Sequence, residues 1–371
     1  MTVLDSVAAP LPAVVGRRPV LITGGAGFIG ANLADRLAQD GQDVLVLDAL
    51  ARPGVDRNLA WLRRRHPRRI SAVIADIRDD AAIAQAVQDA RVVFHLAAQV
   101  AVTTSMAQPG EDFGINLHGT FLLLEALRRR GADVPLLFAS TNKVYGDLAD
   151  IALELDGDSY APADPLIRAN GIGEDRRLDF HTPYGCSKGA AEQYVLDYAR
   201  SFGLPAAVFR MSCIYGPRQM GTEDQGWVAH FLIRALQGQP VTIFGDGCQV
   251  RDLLFISDAV AAYLAAWKRI GVVRGRAFNL GGGPANAVSL RRLLAYIGEI
   301  TGSSIATEHA DWRAGDQRYF VSDTRRAMAE LGLRPAMPWR SGIAALARWL
   351  EEERGLGRRA AASARTAEAL P

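Results

Sequence analysis

The chain has 371 residues, of which 49% are hydrophobic and 22% charged, a balance typical of a soluble globular protein with a large core. The formal net charge of +2 predicts no nucleic-acid partner, and no apolar run approaches the length of a membrane span. The cysteines are few, which is typical of the reducing cytoplasm, and without metal-ligand spacing, which predicts no metal.

A glycine-rich turn follows the first predicted strand and opens a helical pattern. Gly24, Gly27 and Gly30 have the spacing that permits a tight turn, close approach of backbone to a pyrophosphate, and close packing of helix on strand. The positive end of the helix, near Phe28 and Ile29, presents free N–H groups to the phosphates. The order of strand, turn and helix favours a dinucleotide site over a purely structural turn.

Strand and helix patterns alternate along the first half of the chain. Continuous apolar strands separated by helices predict a parallel sheet covered on both faces, and right-handed crossovers make this a doubly wound α/β fold of the Rossmann type. Long helices are predicted at about 110–130 and 184–202. The further predicted strands of the sheet cover residues 43–48, 70–76, 92–97, 134–140 and 206–210.

Changes in this pattern divide the chain into four segments, one of which has an insert. A polar, turn-rich stretch at about 147–182 interrupts the first domain, and a loop of this length is usually functional or disordered. Beyond it the elements are shorter, and a strand at 277–280 is expected to return to the main sheet. The segments are a flexible leader (1–18), a dinucleotide-binding Rossmann domain (19–210), a smaller, mainly substrate-binding α/β lobe (211–354) and a flexible tail (355–371).

Acidic residues end the second and third predicted strands. An acid in the position of Asp48 hydrogen-bonds the adenosine ribose hydroxyls and repels a 2′-phosphate, so the sequence predicts NAD rather than NADP. Arg52 is near enough in sequence to weaken that preference. Asp76 and Ile77 are expected beside the adenine, although a plain strand-ending aspartate explains Asp76 equally well.

A tyrosine and a lysine provide the chemistry. Tyr184 and Lys188 share one helix face at i and i+4. A phenol with a pKa of about 10 is a poor base at neutral pH, but a neighbouring ammonium and a nicotinamide ring favour its phenolate. Tyr184 is then a base for a substrate hydroxyl whose carbon loses hydride, and Thr141, at the end of the fifth strand, orients that hydroxyl. The alternative for Tyr184 and Lys188 is an ordinary surface pair, and the alternative for Thr141 is a cap at the end of the strand.

These motifs together resemble the extended short-chain dehydrogenases/reductases of the NAD-dependent epimerase/dehydratase family. The resemblance covers about residues 18–352, and it also rests on the segments 95–98, 140–146 and 210–217. It implies bound NAD contacted by Leu96, Ala97 and Ala98, a nucleotide-sugar substrate, and a homodimer or homotetramer in which the two long helices pair.

The residues after Thr141 narrow the activity. Sugar 4,6-dehydratases of this family carry Asp and Glu where this chain has Asn142 and Lys143, so elimination of water is disfavoured. The segments 99–105, 140–147, 179–189, 224–228 and 316–318 resemble the CDP-paratose 2-epimerase branch. That resemblance implies inversion at C2 of a nucleotide-linked hexose, CDP-linked by preference, through a transient ketosugar. The alternatives are a 4-epimerase acting on a UDP- or GDP-sugar and a non-catalytic NAD-binding sensor.

The resemblance also implies the substrate contacts. Arg251 and Arg313 match the two arginines that hold the diphosphate in the family. Arginine suits this role because its forked guanidinium fits phosphate oxygens. The alternative is that each arginine forms a surface salt bridge with a neighbouring aspartate. Cys213 replaces an asparagine that contacts the nucleotide in relatives, and Asn116 matches a position near the active site or is a buried helix residue. The other expected substrate contacts are Gln99, Thr103, Asn142, Lys143, Arg218, Trp227 and Arg318.

Overall fold

The computed structural model of the chain describes residues 18–302, 304–313 and 315–355. Apart from Arg18 and Gly355, the predicted leader and tail lie outside the described residues.

The strands and helices follow one another in the order that the sequence pattern predicts for the first half of the chain. The strands are β1 (Val20–Thr23), β2 (Val44–Asp48), β3 (Ile70–Ile74), β4 (Val92–His95), β5 (Leu136–Thr141), β6 (Leu153–Asp156), β7 (Ser159–Pro162), β8 (Ala206–Met211), β9 (Cys213–Tyr215), β10 (Val241–Phe244), β11 (Val250–Phe255), β12 (Arg276–Leu280), β13 (Ala287–Ser289), β14 (Thr307–Ala310) and β15 (Tyr319–Phe320).

The helices are α1 (Phe28–Gln39), α2 (Val55–Arg65), α3 (Asp80–Gln88), α4 (Val102–Ala107), α5 (Pro109–Phe113), α6 (Gly119–Arg130), α7 (Pro165–Asn170), α8 (Thr182–Ser201), α9 (Trp227–Leu236), α10 (Ile256–Lys268), α11 (Ile270–Val273), α12 (Leu290–Thr301), α13 (Arg325–Leu331) and α14 (Trp339–Arg354). A π-helical turn covers Gly114–His118, and two short 3₁₀ turns cover Asn142–Tyr145 and Pro284–Asn286.

The main sheet has the strand order β3-β2-β1-β4-β5-β8-β12, and each neighbouring pair runs parallel. Successive residues of β1 enter opposite faces, since Leu21 packs with one buried cluster and Ile22 with the other. Burial on both faces explains why the strands read as unbroken apolar runs. The predicted α/β Rossmann-type fold is confirmed, and the strand near 277–280 joins the main sheet as β12.

Between residues 109 and 130 the chain stays helical but changes its pitch. The π-helical turn separates α5 from α6, and its flanking residues Phe113 and Gly119 keep right-handed helical backbone angles. A π-helical turn carries one more residue than an α-turn and re-aims the side chains beside it. The hydrophobic pattern predicts one helix here, because the apolar positions alone do not reveal the added residue.

The insert has regular structure. β6 and β7 form an antiparallel hairpin, α7 follows, and Ile172 pairs with Ser322 of the C-terminal lobe. The insert packs on that lobe through a cluster that includes Leu148, Ile172 and Phe320. In the lobe, β11 lies between β13 and β15 and also pairs with β9, while β10 pairs with β14. The division into two domains stays a prediction.

Candidate functional site

The carboxyl ends of the central parallel strands border a cavity of about 360 Å³. Parallel α/β sheets bind ligands at this edge, because the strand order reverses there and leaves a crevice. Every residue that the sequence assigns to NAD lines the cavity, namely Gly24, Gly27, Phe28, Ile29, Gly30, Asp48, Asp76, Ile77, Leu96, Ala97, Ala98, Tyr184 and Lys188.

The glycine turn has the shape of a dinucleotide cradle. Gly24 has φ +68°, and a Cβ on it would meet the Ala97 nitrogen at 2.7 Å. A Cβ on Gly30 would collide with the Gly24 carbonyl oxygen. Among the described residues no side chain caps the N-terminus of α1 at Gly27, so its first N–H groups stay available for phosphate. The turn and the helix therefore fit a bound pyrophosphate.

The Asp48 carboxylate is held at the end of β2. The backbone N–H of Ala26 donates to Oδ2 and that of Leu50 donates to Oδ1, both at 2.9 Å. Each oxygen accepts one of these bonds and keeps a lone pair for a ribose hydroxyl. Arg52 lines the same cavity, and burial lowers its pKa against the opposing effect of Asp48.

Asp76 borders the cavity and is also paired with a neighbouring arginine. It lines the cavity, and it also forms an ion pair of 2.7 Å with Arg78, which lowers the pKa of Asp76. Arg78 bridges to Glu111 at 2.7 Å.

Arg218 borders the dinucleotide cavity. Its guanidinium carbon lies 4.0 Å from the centroid of the Trp61 ring, and its Nη1 donates to Glu353 at 2.6 Å. Asn58 donates to the carbonyl oxygens of Ala26 at 3.1 Å and of Arg218 at 3.2 Å, which joins this loop to the glycine turn. The sequence assigned Arg218 to the substrate, whereas the structure places it with the residues expected to bind NAD.

The three expected catalytic residues meet beside the cavity. Thr141 ends β5, while Tyr184 and Lys188 lie on α8 and are 7% and 2% exposed. Burial raises the pKa of Tyr184 to about 12, and a hydrogen bond with Thr141 opposes this rise. Burial lowers the pKa of Lys188 to about 7, and the charges of Asp112 and Glu192 oppose that fall.

Lys188 lies next to an aromatic ring and an uncharged histidine. Its Nζ lies 4.3 Å from the centroid of the Phe138 ring. Beside it, His95 is hydrogen-bonded on both ring nitrogens, to Thr23 at 2.6 Å and to Thr120 at 3.0 Å. Burial, followed by the charge of Lys188, lowers the pKa of His95 to about 3, so His95 is a neutral structural residue at physiological pH.

A second group of expected residues brings together segments that are far apart in the chain. The Asn142 amide donates to Gln317 Oε1 at 3.1 Å, and Lys143 Nζ donates to the Gly315 carbonyl at 3.0 Å. Arg251 forms an ion pair of 2.7 Å with Asp316, which also lies 3.7 Å from Lys143 Nζ. Burial lowers the pKa of Lys143, and Asp316 opposes this. Asp316 and Gln317 were not assigned from the sequence, although their segment belongs to the resemblance.

Three more residues expected at the substrate lie on the lobe. The Arg313 guanidinium carbon stacks 3.7 Å from the centroid of the Phe244 ring, and its Nη2 lies 3.4 Å from Asp224. The Trp227 indole donates to Cys213 Sγ at 3.3 Å. The charges of Arg251 and Lys143 act on this thiol, whose pKa burial raises.

The remaining expected contacts are Gln99, Thr103 and Arg318, of which Arg318 borders a cavity together with Asp316. The Gln99 amide is held by Ala101 and Asp112. Thr103 is exposed on α4. Arg318 borders a second cavity of about 360 Å³, where its guanidinium carbon lies 5.4 Å from the centroid of the Trp312 ring.

Comparisons with known proteins agree with this site. The model of the NAD-dependent epimerase/dehydratase family matches residues 20–281. The CDP-paratose 2-epimerase of Salmonella typhi is 40% identical over 337 residues, which are 89% of this chain and 98% of the relative. The UDP-glucose 4-epimerase of Thermotoga maritima, solved with UDP-glucose, has a TM-score of 0.77 at 30% identity and covers 91% of this chain and 99% of its own. The Thermus thermophilus UDP-glucose 4-epimerase, solved with NAD, has a TM-score of 0.75 at 31% identity and covers 90% and 99%.

The chain therefore belongs to the NAD-dependent epimerase/dehydratase family, as its motifs indicate. The expected cofactor, NAD, is confirmed by the family and by relatives solved with NAD bound. Within the described ranges, no group of acidic, histidine and cysteine side chains is arranged to hold a metal ion. No helix there has the length and apolarity needed to cross a membrane.

We expect Asp48→Asn to weaken NAD binding about tenfold and to reduce the preference for NAD over NADP, because a charged hydrogen bond contributes about 1.5–3 kcal/mol. Titration calorimetry of the cofactor-stripped protein with NAD and with NADP measures both effects. Asp43→Asn is the matched control, because Asp43 precedes the same strand and pairs with Arg69 at 3.0 Å. An unchanged ratio of the two affinities would contradict the role of Asp48.

Proposed function

We propose that this protein is an NAD-dependent nucleotide-sugar 2-epimerase, which inverts C2 of an NDP-hexose, CDP-linked by preference, through a transient ketosugar. One observation carries the proposal. Tyr184 and Lys188 line the cavity of the residues expected to bind NAD, and Thr141 shares a hydrogen bond with Tyr184, while the two residues after Thr141 present an amide and an amine instead of carboxylates. The 40% identity with a CDP-paratose 2-epimerase supports the choice of C2.

Bound NAD supplies an acceptor that takes a hydride from the sugar and gives it back. Tyr184 removes the proton of the C2 hydroxyl as the hydride leaves C2, and it returns a proton to the oxygen when the hydride comes back. Thr141 orients that hydroxyl. Burial, together with the charge of Asp112, raises the pKa of Tyr184 to about 12. In this proposal the phenolate therefore depends on positive charge nearby, which the Lys188 ammonium contributes.

The group around Asp316 fits the diphosphate and the sugar. Arg251 and Lys143 are both paired with Asp316, which lies between them. A diphosphate brings negative charges that compete with this carboxylate for the Arg251 fork. Arg313, stacked on Phe244, is the second arginine in this proposal.

Inversion requires that the ketosugar expose its other face to the same hydride. Direct oxidation at C2 needs only a turn of the ketosugar within the site. The alternative is oxidation at C3, which makes the C2 hydrogen acidic and permits inversion by enolisation. We favour the direct route because it uses one base, Tyr184, in both half-reactions.

A 4-epimerase is the second candidate. The likeness to the Thermotoga maritima enzyme solved with UDP-glucose favours it. A 4-epimerase would use the same three residues, so only the inverted carbon separates the two activities. A non-catalytic NAD sensor would turn over neither class of sugar.

Incubation of the purified holoenzyme with CDP-, UDP- and GDP-hexoses in deuterated water tests the proposal. We expect C2 inversion of a CDP-hexose without deuterium in the product, because the hydride returns to the carbon that it left. NMR of the products reports both the inverted carbon and the label. Deuterium at C2 would instead support the enolising route, and C4 inversion would identify a 4-epimerase. Absence of turnover on every sugar would contradict the proposal that the protein is an enzyme.

We expect Tyr184→Phe to fold and bind NAD but to lose turnover by at least about 10²-fold, the usual contribution of an acid–base group. The measurements are kcat on the active sugar and NAD affinity by calorimetry. Tyr194→Phe removes the hydroxyl of an exposed tyrosine of the same helix and serves as the control. Near-normal activity of Tyr184→Phe would exclude Tyr184 as the base.

We also propose that the protein is a homodimer, or a tetramer built from such dimers, paired through α6 and α8. Large aromatic side chains are exposed on these helices, where Phe121 and Tyr194 make an edge-to-face contact at 6.0 Å and Phe202 lies under Arg128. Such an exposed apolar surface is typical of an interface.

We also propose the expected cytoplasmic location. Cys186, Cys213 and Cys248 are free thiols, and a reducing compartment keeps thiols in this form.

We expect Phe121→Glu to halve the mass of the assembly, because a buried carboxylate at a two-fold interface is repelled by its copy. Sedimentation velocity measures the mass. Val272→Glu adds the same charge at a residue that is 70% exposed on α11 and should leave the mass unchanged. A monomeric unmodified protein, or a Phe121→Glu protein of unchanged mass, would contradict this interface.

A further inference from the structure

Asp112 is a buried carboxylate without a described role. It lies in α5, and its side chain has 0% exposure. Its Oδ1 accepts hydrogen bonds from Gln99 Nε2 and Asn116 Nδ2, both at 3.0 Å, and its Oδ2 accepts one from the Ser187 hydroxyl. All three donors are neutral, so they satisfy the oxygens but do not cancel the charge. A buried charge needs an opposite charge nearby.

Lys188 is the cation on which this charge acts. Asp112 and Glu192 are the two carboxylates that favour the charged form of Lys188. Glu192 lies on the same helix but has its own cation, since it accepts from Arg210 Nη2 at 2.6 Å. Asp112, on another element, is therefore the carboxylate whose charge remains for Lys188. The other ionisable groups at Lys188 are Tyr184 on α8 and the neutral His95 on β4.

The hydrogen bonds of Asp112 join three elements around the site. Ser187 immediately precedes Lys188 on α8. Asn116 lies in the π-helical turn, where its Oδ1 accepts from the Gln99 backbone N–H at 2.9 Å and its amide donates to the Gln99 carbonyl at 2.9 Å. The π-helical turn thus directs Asn116 towards both Asp112 and the loop after β4. This explains why the Gln99 side chain serves the loop and is not free to contact a sugar.

We propose that Asp112 is a positioning residue which supplies the negative charge that keeps Lys188 an ammonium, and that Gln99, Asn116 and Ser187 hold this carboxylate in place. The consequence for turnover rests on the proposed function, because only a hydride-transfer site needs the Lys188 ammonium to stabilise the Tyr184 phenolate. The electrostatic coupling itself does not rest on it.

The sequence allows a direct measurement of the coupling. Its only lysines are Lys143, Lys188 and Lys268, so the holoenzyme grown with [ε-¹³C]lysine gives three side-chain signals. Lys143→Gln and Lys188→Gln assign the signals of these two lysines, and the exposed Lys268 is the internal reference. A pH titration of the NAD-saturated protein then reports the midpoint of Lys188 without any sugar.

We expect Asp112→Asn to lower the titration midpoint of Lys188 by about one pH unit, the lower end of the shift that loss of a nearby opposite charge gives, because Asp112 is buried and hydrogen-bonded to Ser187, the residue before Lys188. The asparagine retains acceptors for Gln99 and Asn116. Asp197→Asn removes a carboxylate of α8, the helix of Lys188, whose side chain is 44% exposed and pairs with Arg200, and it should leave the midpoint unchanged. An unmoved Lys188 midpoint in Asp112→Asn would overturn the proposal.

A second variant and a second measurement separate electrostatics from folding. Asp112→Ser also removes the charge, and its smaller side chain leaves room for water to accept the freed hydrogen bonds, so it should give the same shift if Asp112→Asn fails to fold.

The melting temperature is the second measurement. Burial raises the pKa of Asp112. When the folded pKa of an acid is raised, the protein loses stability as the pH rises through the unfolded pKa towards the folded one. We therefore expect the Asp112→Asn melting temperature at pH 7 to equal or exceed that of the unmodified protein. A lower melting temperature with an unmoved Lys188 midpoint would show a structural role and overturn the proposal.

Activity gives the final measurement. In the kcat profile of Asp112→Asn, the fall of activity at high pH that follows loss of the Lys188 ammonium should move to lower pH by the shift found in the lysine titration, with KM for the sugar unchanged. The rise of activity at low pH should also move to lower pH, because the charge of Asp112 raises the pKa of Tyr184 as well. A profile identical to that of the unmodified enzyme would overturn the consequence for turnover. If no nucleotide sugar is turned over, the proposed function fails, while the lysine titration still decides the coupling between Asp112 and Lys188.

Discussion

The buried ion pair between Arg210 and Glu192 is the interaction on which the position of the site depends. Arg210, on β8, donates two hydrogen bonds to Glu192, on α8, and a third to the Tyr145 hydroxyl at 2.9 Å. Glu192 also accepts from Ser140 at 2.6 Å, and Ser140 immediately precedes Thr141. The pair therefore joins the end of β5 to α8 and sets Thr141 against Tyr184. Removal of one member of such a pair destabilises a protein by about 3–5 kcal/mol, because the other charge stays buried.

The same network reaches the insert and the last strand of the main sheet. The Arg210 guanidinium donates to the Glu174 carbonyl at 3.2 Å, while Asn279, on β12, receives a bond from the Tyr145 hydroxyl and donates its backbone N–H to the Glu174 carboxylate. A segment that is polar and turn-rich in sequence is thus anchored by buried hydrogen bonds to the core of the molecule. The insert also borders the second cavity together with Asp316 and Arg318.

Charges in the site are balanced by the protein's own residues. Asp316 pairs with Arg251 and lies near Lys143, and Asp112 acts on Lys188. Buried cations without partners would lose their charge, as the lowered pKa of Lys188 and of Lys143 indicates. In the proposed function, the diphosphate of the substrate competes with Asp316 for Arg251, whereas Asp112 stays in place.

Local sequence patterns determined the sheet, the glycine turn, Asp48 and the pair Tyr184–Lys188, because each depends on residues close together in the chain. Strand burial shows as an apolar run, the turn requires glycine for steric reasons, and residues at i and i+4 share a helix face. Contacts between distant segments had no such signature. Only the tertiary structure decided that Gln99 turns to Asp112, that Arg218 borders the cavity of the residues expected to bind NAD, and that Asp316 and Gln317 meet Asn142 and Lys143. The reason is physical: burial and charge pairing act across space, and the chain brings those partners together only when it folds.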